Sequence, residues 1–189
     1  MEEKGYRVYN TPEVEWNLNI VGIRAKSRIP DEFDDLLVVF HNFLGDWNVS
    51  YYRITTDPSP YYLMSPLNPD GTAILVPGQY ESAFEIAQHR GRYNALCQNL
   101  DEVSVFRDNN NDRTLNMNAN TIQTGFFGIN IHRGPNNAIF IEDDKKYSAG
   151  CQVFADKRNF EEFMLKCKFG KESFSNKFTY TLLLERDFD

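Results

Sequence analysis

The stretch "TAILVPGQYESAFEIAQHRGRYNALCQNLDEVSVFR" (72–107) decides the fold class. Four short runs within it, TAILVPGQY, SAFEIAQ, YNALCQ and EVSVFR, have β-like composition and alternate with turn chemistry. Working outward, "LNIVGIRA" (18–25) and "WNVSYYRIT" (47–55) read as strands, and the second runs into "TTDPSPYY", where two prolines impose an extended loop. Downstream, "TGFFGINIH" (124–132) reads as an apolar strand with His132 at its C-terminal end, and "KFTYTLLLE" (177–185) as a closing strand. Regularly spaced short strands imply an α+β fold that is mostly β-sheet, sandwich or barrel-like, with a few peripheral helices.

Two segments have helical spacing. In "PDEFDDLLVVFHNFLG" (30–45), Phe33, Leu36, Leu37, Phe40 and Leu44 recur at three- and four-residue intervals, acidic residues fill the first turn and Gly45 offers a stop. In "DKRNFEEFMLKCKFG" (156–170), Phe160, Phe163, Met164 and Cys167 form one face, with Asp156 as N-cap and Gly170 as terminator. Cys167 is therefore expected as a small buried hydrophobe, and Cys97, in an alternating strand pattern, as core.

A chain of 189 residues suits a single domain, 1–189, here with an elaborated N-terminal half. Aromatic residues make up 14% of it, which argues for a packed core and against disorder. The net charge is −7 and the basic residues form no stripe or tail, so nucleic acid is not an expected partner. No apolar run reaches the roughly 18–20 residues of a membrane span, and "MEEKGYRVYN" lacks the features of a secretory leader. Synthesis in the cytoplasm without a signal peptide is the expectation that follows. Three cysteines, Cys97, Cys151 and Cys167, cannot all pair within one chain and do not show zinc-ligand spacing, so at least one thiol is free and no metal is expected. "RDNNNDR" places Asp108, Asn110 and Asp112 at calcium-loop spacing, but Arg113 and Ala119 stand where that loop needs glycine and a carboxylate, so 108–113 reads as a polar turn or hairpin.

The free thiol of interest lies in "YSAGCQVF" (147–154). Cysteine-dependent acyl chemistry needs a thiolate, a histidine to take and return its proton, and N–H groups aimed at the developing oxyanion. Cys151 and His132 supply the first two, each at the edge of an apolar strand, and two adjacent strands joined by the 133–147 loop would bring them within hydrogen-bonding reach. Gly150 permits the tight turn that would direct the amides of Gly150 and Cys151 at a tetrahedral intermediate, and Ser148 can hold that turn. His89, in "QHRGRYNALCQ", either lines a substrate cleft with Arg90 and Tyr93 or occupies an exposed turn. Arg133 either offers its planar fork to a substrate carboxylate or is a solvated surface arginine.

His132 of "IHRG", followed after fifteen residues by "SAGC", resembles the signature of the L,D-transpeptidase catalytic-domain family, in which a histidine precedes a Ser/Thr-His-Gly-Cys motif. The likeness covers roughly residues 124–154, and "GINIHR…SAGCQVF" is similar to proteins of Bacteroidetes and their phages. It implies Cys151 as nucleophile, His132 as base and Gly150 in the oxyanion turn, with Ser148, Arg133, Gln152, His89 and Tyr93 as candidate substrate-binding residues. Ala149 stands where the family carries its second histidine, and Gln152 and Val153 where it carries a hydrophobic residue and then Arg or Asn. The implied activity is attack on a peptidoglycan stem peptide to give a thioacyl-enzyme, resolved by water or an amine, with no metal or organic cofactor. Action at the cell wall as a phage lysis or virion-associated hydrolase fits the leaderless start. The rival readings are a non-catalytic peptidoglycan-binding or structural virion module of the same fold, and a cysteine hydrolase or acyltransferase on another amide.

Overall fold

The computed structural model describes residues 1–11, 15–134, 139–141 and 144–189. Eight strands close a barrel in which β1 (Asn19–Arg24), β2 (Asp35–Phe43) and β3 (Asp46–Thr55) form one wall by antiparallel pairing. A short helix α1 (Pro60–Met64) and strand β4 (Thr72–Leu75) then lead to the long β5 (Gly78–His89) and its partner β6 (Tyr93–Gln98). β4 leaves the barrel to build a three-stranded sheet with β7 (Val103–Asp108) and β8 (Gln123–Gly125). The chain returns in β9 (Ile131–Arg133) and β10 (Gln152–Phe154), which pair in parallel, and ends with helix α2 (Lys157–Ser173) and β11 (Phe178–Leu184). β11 pairs in parallel with β1 and antiparallel with β5, which closes the ring. The expected mostly β, barrel-like α+β class is what the chain adopts.

The helix expected over 30–45 is a strand. In β2 the inward residues Asp35, Leu37, Val39 and His41 are buried, while Leu36, Val38 and Phe40 on the other face are half covered. The unbroken run Leu36-Leu37-Val38-Val39-Phe40 satisfies helical spacing and strand alternation at once, and Val38 and Val39 favour the extended choice. Gly45 does not stop a helix. Leu44 (φ 54°) and Gly45 (φ 88°) make the two-residue loop of the β2–β3 hairpin, both left-handed as such a loop demands.

The expected strand 124–132 also divides. β8 ends at Gly125 and β9 begins at Ile131, and between them the Gln98 side-chain oxygen accepts the N–H groups of Phe127 (3.0 Å) and Gly128 (2.9 Å). Gln98 thereby satisfies backbone that leaves one sheet for the other. The 108–113 segment is a polar loop with no tight hairpin, because β7 pairs with β4 and with the distant β8. Asp156 caps α2 as expected, accepting from Arg158 N–H at 2.7 Å. The helix runs past Gly170 to Ser173, because Gly170 packs inward, where a Cβ would lie 2.8 Å from Trp16 O. Phe160, Phe163 and Cys167 on its inner face join Tyr52, Ile54 and Phe154 in the main core. Among the described residues no helix is long and apolar enough to cross a membrane.

One buried ion pair fixes the proline-rich loop. Arg24, 1% exposed, sends Nε to Thr56 Oγ1 (2.8 Å), Nη1 to Leu75 O (2.9 Å) and Nη2 to Thr56 O (3.1 Å), and its Nε lies 3.0 Å from Asp57 Oδ1. Burial and the neighbouring Asp35 push the Asp57 carboxyl up to about 8, while Arg24 pulls it down. Two residues on, Ser59 reaches the turn that carries Cys151.

Candidate active site

The parallel register pairs Val153 with His132 and Gln152 with Ile131. Side chains alternate along a strand, so Cys151, two residues before Val153, falls on the same side of the sheet as His132. The expectation that adjacent strands carry the two residues holds. Their side chains are not joined by a hydrogen bond. The Cys151 thiol, half-buried, donates to Gly128 O (3.4 Å) and accepts from Asn130 N–H (3.4 Å). The polar connection between them runs partly through residues 135–138 and 142–143, outside the described residues.

His132 is 5% exposed. Its Nδ1 lies 2.9 Å from Arg133 O, and a carbonyl can only accept, so the proton sits on Nδ1 and the lone pair on Nε2. Burial holds the ring's pKa down at about 4, so the imidazole is neutral near pH 7 and able to act as a base. Burial raises the Cys151 thiol, with Asn130 N–H and the charge of Arg90 opposing it. The resting pair is therefore thiol and imidazole, and the thiolate–imidazolium alternative is not the ground state.

The turn before Cys151 is held by five hydrogen bonds that run through Ser59 and Ser148. Ser59 Oγ accepts the N–H groups of Tyr147 (3.1 Å) and Ser148 (3.0 Å), and Ser59 N–H donates to Ser148 O (2.8 Å). Ser148 Oγ accepts Gly150 N–H (3.0 Å) and donates to Cys151 O (2.8 Å). Gly150 has φ 126°, and a Cβ on it would lie 2.5 Å from Ala73 O, so only glycine fits. Two assignments change in consequence. The Gly150 amide is spent inside the turn, leaving Cys151 N–H, unpartnered among the described residues, as the amide available to an oxyanion. Ser148 is buried with its hydroxyl fully engaged, so it shapes the turn and does not reach substrate.

Gln152 is likewise removed from the substrate-binding set. It is 0% exposed on the opposite face, its Oε1 accepting from Tyr180 Oη (2.8 Å) and its Nε2 donating to Gly150 O (3.3 Å). Val153 is also fully buried, packed with Phe33 and Ile141.

His89 comes to the site as the cleft reading had it. Its ring stacks on His132 with centroids 4.4 Å apart, and its Nδ1 lies 3.1 Å from Asn130 Nδ2. Asn130 Oδ1 accepts from Gln98 N–H (2.9 Å), which fixes the amide so that Nδ2 donates to His89. Asn130 thus touches the thiol with its backbone and His89 with its side chain. The signal for it in the sequence is its place two residues before His132 in "GINIH", which puts it on the same face.

A cleft of ≈ 270 Å³ opens beside His132, lined by His89, Arg90, Arg92, Tyr93, Arg133 and Lys146 among others. Arg133 lies over the Tyr93 ring at 4.2 Å. A second cavity, ≈ 300 Å³, lies against Ala149 and is walled by Phe126, Phe127, Arg107 and Leu67. The turn bearing Cys151 therefore lies between the cationic cleft, which Tyr147 lines, and this second cavity, which Ala149 lines. Cys97 and Cys167 are buried, and burial raises their thiols, the first to about 11. Comparison with known family models, curated proteins and solved structures found no match to this chain.

Proposed function

We propose that the protein is a cysteine-dependent acyl-transfer enzyme that acts on peptidoglycan stem peptides through a thioacyl-enzyme, resembling the L,D-transpeptidases. The observation that carries this reading is the fixed tautomer of His132, whose Nε2 lone pair is free while its Nδ1 proton is held by Arg133 O, on the strand next to Cys151. In the first step Cys151 turns from Gly128 O, His132 Nε2 takes its proton, and the sulfur bonds to the scissile carbonyl carbon. Negative charge gathers on the carbonyl oxygen, where Cys151 N–H donates to it. Collapse expels the amine, which takes the proton back from His132, and leaves a thioester. Water or a second amine then attacks the thioester, again giving its proton to His132, and the thiol is regenerated. As a hydrolase the protein would trim or cleave murein, and delivery to the cell wall by a phage lysis system or particle fits that role.

A second reading, a non-catalytic wall-binding or virion module, draws on one observation: the thiol is bonded to Gly128 O, with no hydrogen bond to His132. Intact-mass analysis of wild type and Cys151→Ala with purified muropeptides separates the two. A thioacyl adduct and soluble product that vanish in the variant support the enzyme, and product masses separate trimming, cleavage and cross-linking. Folded wild type that gives neither adduct nor product supports the module.

A further inference from the structure

The cleft beside His132 is strongly positive in a protein whose net charge is −7. Arg90 and Arg92 come from the turn between β5 and β6, and Arg133 and Lys146 from either end of the connection between β9 and the Cys151 turn. Among the described residues no carboxylate lines the cleft, and none of these four cations makes an ion pair. Four cations around one concave site, with no carboxylate among the described residues of its lining, focus the field on an incoming anion.

Two of the cations are held by aromatic faces. The Arg133 guanidinium lies 4.2 Å above the Tyr93 ring centroid, and Lys146 Nζ lies 4.2 Å above that of Tyr61. A cation over a ring face is held there by the ring's charge distribution, and a guanidinium so held offers a planar fork of donors that suits a carboxylate. Arg90 is placed at a conformational cost. It has φ 50° and Gly91 φ 65°, in a turn closed by Arg92 N–H to His89 O at 3.0 Å. Such a turn favours Asn-Gly, and an arginine with its side chain in the left-handed first position is less comfortable there than glycine or asparagine. The turn thus bears a charge where its backbone would favour a neutral residue.

We propose that this cleft binds a carboxylate-bearing segment of the acyl donor and so seats the scissile carbonyl at Cys151. The inference rests on the reading of Cys151 as nucleophile, and it goes further in naming the charge the substrate carries and the residues that receive it. Arg133 takes the carboxylate edge-on. Arg90 lines the same cleft and adds its charge to the field that draws the anion.

The test is calorimetric titration of Cys151→Ala, which binds without reacting, with a stem tetrapeptide carrying free carboxylates, the same peptide amidated, and inorganic phosphate. Expected is binding of the acid peptide, about tenfold weaker binding of the amidated one, and loss of that difference when Arg90→Asn and Arg133→Gln are added. Arg90→Asn suits the left-handed turn, so it should melt no lower than its parent while binding less, which a folding defect would not produce. Equal affinity for acid and amidated peptides, no binding of the acid peptide at millimolar concentration, wild-type-like binding by the arginine variants, or tighter binding of phosphate than of the peptide would each overturn the proposal. Acylation of wild type by the amidated peptide judges the catalytic reading separately. A protein that binds the acid peptide selectively but never acylates keeps the anion site and loses the enzyme.

Discussion

His132 lies flat against His89, their ring centroids 4.4 Å apart and their planes inclined by 25°. Two imidazoles in that arrangement cannot both be charged, and burial, first, and then His89 and Arg90 hold His132 at about 4. Its pKa in the unfolded chain is about 6.5, so the unfolded state binds the extra proton as pH falls. Stability tied to His132 is fully present above about pH 6.5 and is lost progressively toward pH 4, by roughly 3 kcal/mol. Burial lowers His89 and His41 too, and both act in the same direction. Urea unfolding at pH 7 and at pH 4.5 should show the fall, and His132→Gln should flatten part of it. An equal fall in the variant would place the acid sensitivity elsewhere.

Gln152 and Tyr180 form a closed polar pair inside the barrel, with Tyr180 Oη donating to Gln152 Oε1 at 2.8 Å and both side chains 0% exposed. Either single change strands the partner's buried polar group, whereas changing both removes the pair together and leaves only Gly150 O without its donor. Tyr180→Phe and Gln152→Leu should each cost about 1–3 kcal/mol, and the double variant clearly less than their sum. A double-mutant cycle of denaturant midpoints reads the coupling. Gln152→Leu also frees Gly150 O, so it should slow acylation more than Tyr180→Phe does.

The β class, the α2 cap and the placement of His132 and Cys151 on neighbouring strands were legible because each depends on local pattern. Composition spaced the strands, Asp156 preceded a helical face, and the two reactive residues each flanked an apolar run. The segment 30–45 was not legible, because its continuous apolar stretch fits either period and only pairing with β1 and β3 decides between them. Nor was the role of Gln152, since its partner Tyr180 is 28 residues away and reaches it through the barrel. The cleft was legible in part, with His89, Arg90 and Tyr93 as one set and Arg133 as a separate carboxylate fork, but that they share one cleft with Arg92 and Lys146 emerges only when β5, β6 and β9 lie side by side.

Arg24 governs the site from a distance. It holds Thr56 and Asp57, and the same loop presents Ser59 to the Tyr147 and Ser148 amides. Arg24→Met keeps the stem volume but leaves Thr56 Oγ1, Thr56 O and Leu75 O without their buried donor, at a cost of about 3–5 kcal/mol. Asp57→Asn should cost less, because burial already favours its neutral form. Thermal melts of the two variants give the order. A smaller loss for Arg24→Met than for Asp57→Asn would mean that the loop does not depend on the arginine.

Cys151 itself offers the most direct chemical readout. Its thiol is raised by burial, and the opposing influences are Asn130 N–H and the Arg90 charge. Iodoacetamide reacts with the thiolate, so alkylation near pH 7 should be slower than for an unstructured cysteine and should keep climbing through pH 9 without levelling. Arg90→Asn removes one of the two groups that favour the thiolate and should slow the reaction further, while Cys151→Ala should abolish the signal, because Cys97 and Cys167 are buried with raised thiols. Acylation by substrate should follow a different profile, rising through about pH 4 with the deprotonation of His132 and then staying level, since there the base and not the free thiolate limits the rate. Two reactions at one sulfur with two pH profiles would identify His132 as the base. Identical profiles would mean that the sulfur ionises without it.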